Sequence, residues 1–111
     1  MEIKVGDCVE FEGESPGYNV FGYIVRINGN ESVDYLNSSL TRWNISKSVI
    51  ERGQFVALDT FIERVNESAA KSKYKTPTRK DVVELLEKFK ENFDRTNDEI
   101  VEIYKPLNVK L

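Results

Sequence analysis

The chain has 111 residues, a net charge of -3, 40 % hydrophobic and 32 % charged residues. That is one globular domain, or a small domain with an appendage, able to bury a core without disulfides. No apolar run approaches the roughly 18 residues a membrane span needs, and MEIKVGD has no signal-peptide core, so the expected location is cytoplasmic.

Cys8 is the single cysteine and histidine is absent. A disulfide framework, thiolate metal clusters and the usual zinc ligands are therefore excluded. Ser-His-Asp and Cys-His catalysis is excluded as well. None of the 19 acidic residues sits in a motif that sets two of them at an acid/base separation, and no glycine-rich phosphate cradle is present. The expectation is a non-enzymatic protein with no cofactor and no metal.

The elements follow in chain order. In VGDCVEFEG, Val9 and Phe11 alternate with Glu10 and Glu12, the period-2 pattern of a half-buried strand. Cys8 reads as a small residue of that strand. GESPGYN, 13–19, is a loop centred on Pro16-Gly17. VFGYIVRI, 20–27, sets Phe21, Tyr23, Val25 and Ile27 against Val20, Gly22, Ile24 and Arg26, and two largely apolar faces make it a central strand. Asn28-Gly29 marks a hairpin, because both residues tolerate positive φ. VDYLN, 33–37, is the returning strand, and TRWNIS, 41–46, alternates Trp43 and Ile45 with polar neighbours. KSVIERG, 47–53, reads as a short helical turn.

Short strands at this spacing suggest a curled antiparallel sheet or small barrel. Gly6, Asp7 and Val9, then Gly22, Ile24 and Ile27, then Trp43, Ile45 and the turn at Ser48–Ile50 resemble the pattern of SH3-like barrels of the KOW and Tudor type. With GDCVEF and DYL, the order of parts is also similar to the polymerase-interaction module of CarD-like transcription factors, which has a longer helical part. The resemblance covers about half the chain. It implies a binding module, with RNA, DNA, ribosomal proteins, RNA polymerase or modified peptides among the ligands of such barrels.

In the second half, Leu58, Phe61, Ile62, Val65 and Ala69 recur at helical steps, and Thr60 to Glu63 fits a capping box, predicting a helix over 60–72. A second helix is expected from Thr76, with Pro77 at its first position, to about residue 104. Its apolar stripe is Val82, Leu86, Phe89, Phe93, Ile100 and Tyr104. Glu84, Glu87, Glu91, Asp94, Asp98 and Glu102 form an acidic face opposite. Thr96-Asn97-Asp98 is a possible break. If continuous, 28 residues at ~1.5 Å each span about 42 Å, longer than a small barrel is wide, which suggests a homodimer to cover the outer end.

The connector KSKYKTPTRK, 71–80, carries Lys71, Lys73, Lys75, Arg79 and Lys80 with no acid. It reads first as a solvated loop offset by the acidic helix, and second as an anion or nucleic-acid contact with Tyr74 available for stacking. A sequence pI of about 5.1 weighs against the second reading. The barrel aromatics Tyr18, Phe21, Tyr23, Tyr35 and Trp43 read mostly as core by alternation, with one or two of them expected on a binding face. Tyr18 is the one most expected on a binding face, and Arg42, Trp43 and Lys47 form a further docking patch, with Phe93, Ile100 and Tyr104 on the second helix.

The expected fold is therefore α+β: an SH3-like antiparallel barrel over 1–58, then a two-helix appendage over 59–111. The expected function is docking on a cellular or host protein, RNA polymerase being one candidate, in the manner of a phage effector of host transcription. The alternative is RNA or DNA binding through the 71–80 loop and the barrel face.

Overall fold

Gly6 is where the first strand is launched. It adopts φ +97°, a region open to glycine and strained for other residues. The turn it makes lets its N–H donate to the Ile24 carbonyl at 2.8 Å, while Ile24 N–H donates to the Asp7 carbonyl at 2.9 Å. Asp7 closes the turn, its carboxylate accepting the Lys4 N–H at 2.7 Å. This computed structural model describes residues 2–13, 17–71 and 78–91, and in it the Gly-Asp pair ties the start of the first strand to Ile24 of the second.

β1 (Cys8–Glu12), β2 (Asn19–Asn28), β3 (Ser32–Leu36) and β4 (Arg42–Ser46) form an antiparallel meander, and β5 (Gln54–Phe55) pairs with the other side of β1. The sheet order is β4-β3-β2-β1-β5. α1 (Lys47–Glu51) links β4 to β5. The return into β5 passes so close to β1 that a Cβ on Gly53 would stand 2.2 Å from the Glu10 carbonyl oxygen, so only glycine fits.

The β2–β3 turn uses Gly29 at φ +58°. The β3–β4 turn is held by Asn37, whose Oδ1 accepts the N–H groups of Ser39 and Thr41, each at 3.0 Å. Inside that loop Leu40 lies at φ 58°, the only non-glycine residue with positive φ among those described. Its side chain is buried, and apolar burial worth roughly 1.5–3 kcal/mol offsets the backbone strain.

One irregularity alters the face pattern. The β2–β3 register shifts between Ile24 and Arg26, a bulge that inserts Val25 and reverses the alternation beyond it. Strict alternation puts Ile27 with Tyr23 and Arg26 with Ile24. In the structure Arg26 pairs with Asp34, while Ile27 pairs with Val33 and joins the core of Ile24 and Val9.

The sheet thus carries two cores. One side holds Val9, Phe11, Ile24, Val33 and Tyr35 against Ile50 of α1. The other holds Cys8, Tyr23, Val25 and Leu36 against α2 (Leu58–Lys71) and α3 (Arg79–Glu91). α2 buries Phe61, Ile62, Val65 and Ala69 at helical spacing. α3 buries Val82 and Leu86 as the periodicity predicts, and Leu85 with them.

The helix starts differ from the sequence reading. α2 begins at Leu58, where the Ala57 carbonyl accepts from Thr60 and Phe61, so Thr60 lies inside the helix instead of capping it. The packing of Leu58 against the helix-side core draws the first turn in. α3 begins at Arg79 and is capped by Thr78, whose hydroxyl accepts the Asp81 N–H at 3.1 Å, while Thr76 and Pro77, the expected start, lie outside the described residues. Whether a helix continues to 104, and the outer stripe of Phe93, Ile100 and Tyr104, lie outside the described residues, as does the side chain of Phe89.

Candidate functional site

Tyr18 and Trp43 are the most exposed large hydrophobic residues described, at 68 % and 53 %. They come from different elements, the approach to β2 and the middle of β4, yet both line one groove of about 250 Å³. Its floor is Val20, Tyr35 and Ile45, and Asn37 and Asn44 border it, although the Asn44 amide itself turns to Asp34 on the far face. Cross-strand pairing explains the assembly. Trp43 pairs with Tyr35 and Ile45 with Val33, so the alternate side chains of β3 and β4 fall on one face.

Tyr35 is fixed from below. Its ring meets Phe11 edge to face, centroids 5.3 Å apart and planes at 87°, a favourable aromatic geometry. The floor is thus buried at Tyr35 and partly buried at Val20 and Ile45, which pack against the same core, whereas Trp43 and Tyr18 rise from it as exposed walls. The groove continues past Gly13, Asn44 and Ile45 into a second cleft of about 560 Å³, bounded by Glu12 on one side and by Ser46, Val49 and Arg52 on the other.

Arg42 and Lys47, expected beside Trp43, are directed elsewhere. Adjacent residues of a strand point to opposite faces, and Arg42 reaches Asp34 at 3.5 Å on the far side of the sheet. Asp34 is a buried carboxylate and accepts a 2.8 Å bond from Asn44 Nδ2. Lys47 spans the β2–β3 turn, its Nζ donating to the Gly29 carbonyl at 3.4 Å. Both cations support the sheet and do not line the groove.

The basic connector is only partly described. Lys71 ends α2 and is exposed. Arg79 Nε donates to Asp59 at 3.0 Å, and Lys80 stands 4.0 Å from Glu84. Both pairs are exposed, so each is worth a fraction of a kcal/mol, but they direct these cations toward the protein's own acids. Lys73, Tyr74 and Lys75 lie outside the described residues. On α3, Glu84 and Glu87 are exposed as the acidic face predicts. Glu91 ends the helix, and Asp94, Asp98 and Glu102 lie beyond what is described.

Two titratable groups are strongly perturbed, both in the helix-side core. Burial, with Asp7 adding to it, pushes the Cys8 thiol up to about 11. Burial, followed by the charges of Glu87 and Cys8, pushes the Tyr23 phenol up to about 12. Neither faces a cleft, and raised values keep both protonated and unreactive at neutral pH. Among the described residues no group of acids and cysteines is arranged to hold a metal ion, and no helix is long and apolar enough to cross a membrane.

The groove residues Val20, Tyr35, Asn37 and Ile45 were not singled out as a site by sequence. Their signal was present in the alternation of β3 and β4, which puts Tyr35, Trp43 and Ile45 on one face once the five-residue 37–41 turn fixes the register. Comparison with family models, curated proteins and solved structures gave no match to this chain.

Proposed function

We propose that this protein is a non-enzymatic binding module that docks on a partner protein through the Tyr18–Trp43 groove. The observation that carries the reading is that two large aromatic side chains from separate elements stand exposed around one concavity with an apolar floor. Contacts of this kind, an aromatic anchor in a packed pocket, dominate protein–protein affinity. Isolated exposed aromatics are ordinary; convergence on one groove is what raises the prior of a binding site.

The strand order, with a short helix between β4 and β5 and further helices after the sheet, supports an SH3-like layout of the kind in CarD-like polymerase-interaction modules. On that reading the partner belongs to a cytoplasmic machine, and RNA polymerase is the first candidate, as for a phage effector of host transcription.

The test is co-sedimentation or biolayer interferometry with purified bacterial RNA polymerase, comparing the native chain with Trp43→Ala and Tyr18→Ala. Binding that weakens about tenfold or more in each variant supports the reading. Binding indifferent to both substitutions removes the groove from the account. A parallel titration with labelled single- and double-stranded RNA and DNA covers the alternative: affinity that falls steeply with salt and disappears in a Lys73/Lys75/Arg79 triple alanine variant assigns function to the connector instead.

A further inference from the structure

β4 is the terminal strand of the sheet, and among the described residues nothing pairs with its outer edge. The phase of the β3–β4 ladder tells which backbone groups that edge presents. Lys47 N–H donates to the Glu31 carbonyl and Asn37 N–H to the Thr41 carbonyl, each at 3.0 Å. In an antiparallel ladder, bonded pairs alternate with non-bonded ones. With 31/47 and 37/41 bonded, the intervening bonded pairs are Val33/Ile45 and Tyr35/Trp43. The N–H and C=O groups of Arg42, Asn44 and Ser46 therefore point outward.

This edge borders both clefts. Trp43 forms one wall of the aromatic groove and Ile45 part of its floor, and Asn44, Ile45 and Ser46 line the larger cleft, whose opposite wall is Glu12 and Gly13 at the end of β1. A trench walled on both sides admits a single extended chain. It does not readily admit the edge strand of a second sheet, which brings its own neighbours with it. The edge also lacks the usual protection against strand addition. It has no proline, and its one charged residue, Arg42, is engaged with Asp34.

We infer that β4 captures an extended segment of a partner protein, which adds a sixth strand along Arg42–Ser46. The inference rests on the proposed docking role of the Tyr18–Trp43 groove and names its ligand class. About five residues of the segment match the length of β4. Side chains at alternate positions enter the groove between Tyr18 and Trp43 and lie over Ile45 and Val49. Charge adds direction at the α1 end, where the Glu12 carboxylate and the Arg52 guanidinium line the same cleft without an ion-pair partner among the described residues. The captured segment carries one basic and one acidic side chain there and no proline at the positions that donate to β4.

The test uses seven-residue peptides selected from a displayed random library against the full chain, then synthesised with and without N-methyl groups at alternate backbone nitrogens. Trp43 is the sole tryptophan, so its fluorescence reports occupancy. The expected consensus alternates apolar residues beside a charged pair. N-methylation in one phase weakens binding at least about tenfold, while the other phase is tolerated. Hydrogen exchange at the Arg42, Asn44 and Ser46 amides slows on binding, and that at Trp43 and Ile45 changes little.

Equal binding of both methylated series, with affinity still lost in Trp43→Ala, overturns strand addition and leaves the groove reading standing. Binding unchanged by Trp43→Ala overturns both. Failure to select any peptide overturns the inference. So does protection of the three amides in the free protein: if independent of concentration, the chain's own tail occupies the edge; if rising with concentration, a second copy does.

Discussion

Gly22 lies against the ring of Tyr35: a Cβ on Gly22 would stand 2.9 Å from Tyr35 Cδ2 and 3.5 Å from Phe11 Cε1. The glycine of the central strand thus makes room for the aromatic pair that forms the groove floor. Gly22→Ala is expected to destabilise the protein by about 1–3 kcal/mol through overpacking, and Gly22→Val by more. Urea denaturation checks this. A midpoint unchanged in Gly22→Ala would show that the Tyr35 ring moves aside freely and that the floor is not rigid.

Trp43 and Tyr35 are cross-strand neighbours with different duties. Trp43→Ala removes a half-exposed side chain and is expected to cost about 1 kcal/mol or less, whereas Tyr35→Ala empties a buried position and costs about 3–5 kcal/mol. Thermal melts of the two variants, set beside binding to the partner, separate the wall from the floor. Equal losses of stability would mean that Trp43 is part of the core.

At Leu40 the usual ranking of substitutions is expected to reverse. Leu40→Ala loses the buried side chain and keeps the strained φ, at a cost of about 2–5 kcal/mol. Leu40→Gly loses the same packing but relieves the positive φ, and so ends up about 0.5–1 kcal/mol more stable than the alanine variant. Chemical denaturation of the pair decides it; an alanine variant as stable as the glycine one removes strain from the account.

Cys8 has a thiol shifted from 9.0 up to about 11. The folded state holds its proton more tightly than the unfolded chain, so this contribution to stability is fully present below pH 9. It is lost as pH rises from about 9 through 11. Two results are expected. Thiol reagents modify the native protein at pH 8 at least about 100-fold more slowly than the urea-unfolded chain, and the fall in stability between pH 8 and 11 is shallower in Cys8→Ala. Rapid labelling of the native protein would show that the helix-side core opens readily.

Much of the sheet was legible because its punctuation is local. Gly6-Asp7, Asn28-Gly29 and the β-strand alternations of Val9, Phe11, Trp43 and Ile45 each carry their own short-range signal. The bulge at Val25 carried none: a buried run of apolar residues looks the same in either phase, and only pairing with Asp34 and Val33 decides where Arg26 and Ile27 point. The helix starts moved for a similar reason. Thr60 and Glu63 have capping-box spacing, but the burial of Leu58 against the sheet extended the helix past them. The groove was half legible. Tyr18 stood out as a loop aromatic, whereas Trp43 reads as core by alternation and becomes a wall only because β4 is the last strand.

The pairing of β5 with β1 has a kinetic consequence. Every other ladder joins strands that are neighbours in sequence, while the contact of Gln54 with Glu10 spans 44 residues. Loop-closure entropy makes such a contact slow to form. The meander from β1 to β4 can zip locally, and β5, threading Gly53 past the Glu10 carbonyl, docks afterwards. Substitutions at Phe55 and Gly53 should then accelerate unfolding and leave the folding rate nearly untouched, whereas those at Tyr23, which pairs with both Cys8 and Leu36, should slow folding itself. The late-docking strand is also the one that leads into α2, so the helical layer is placed on the sheet only after its far edge has closed.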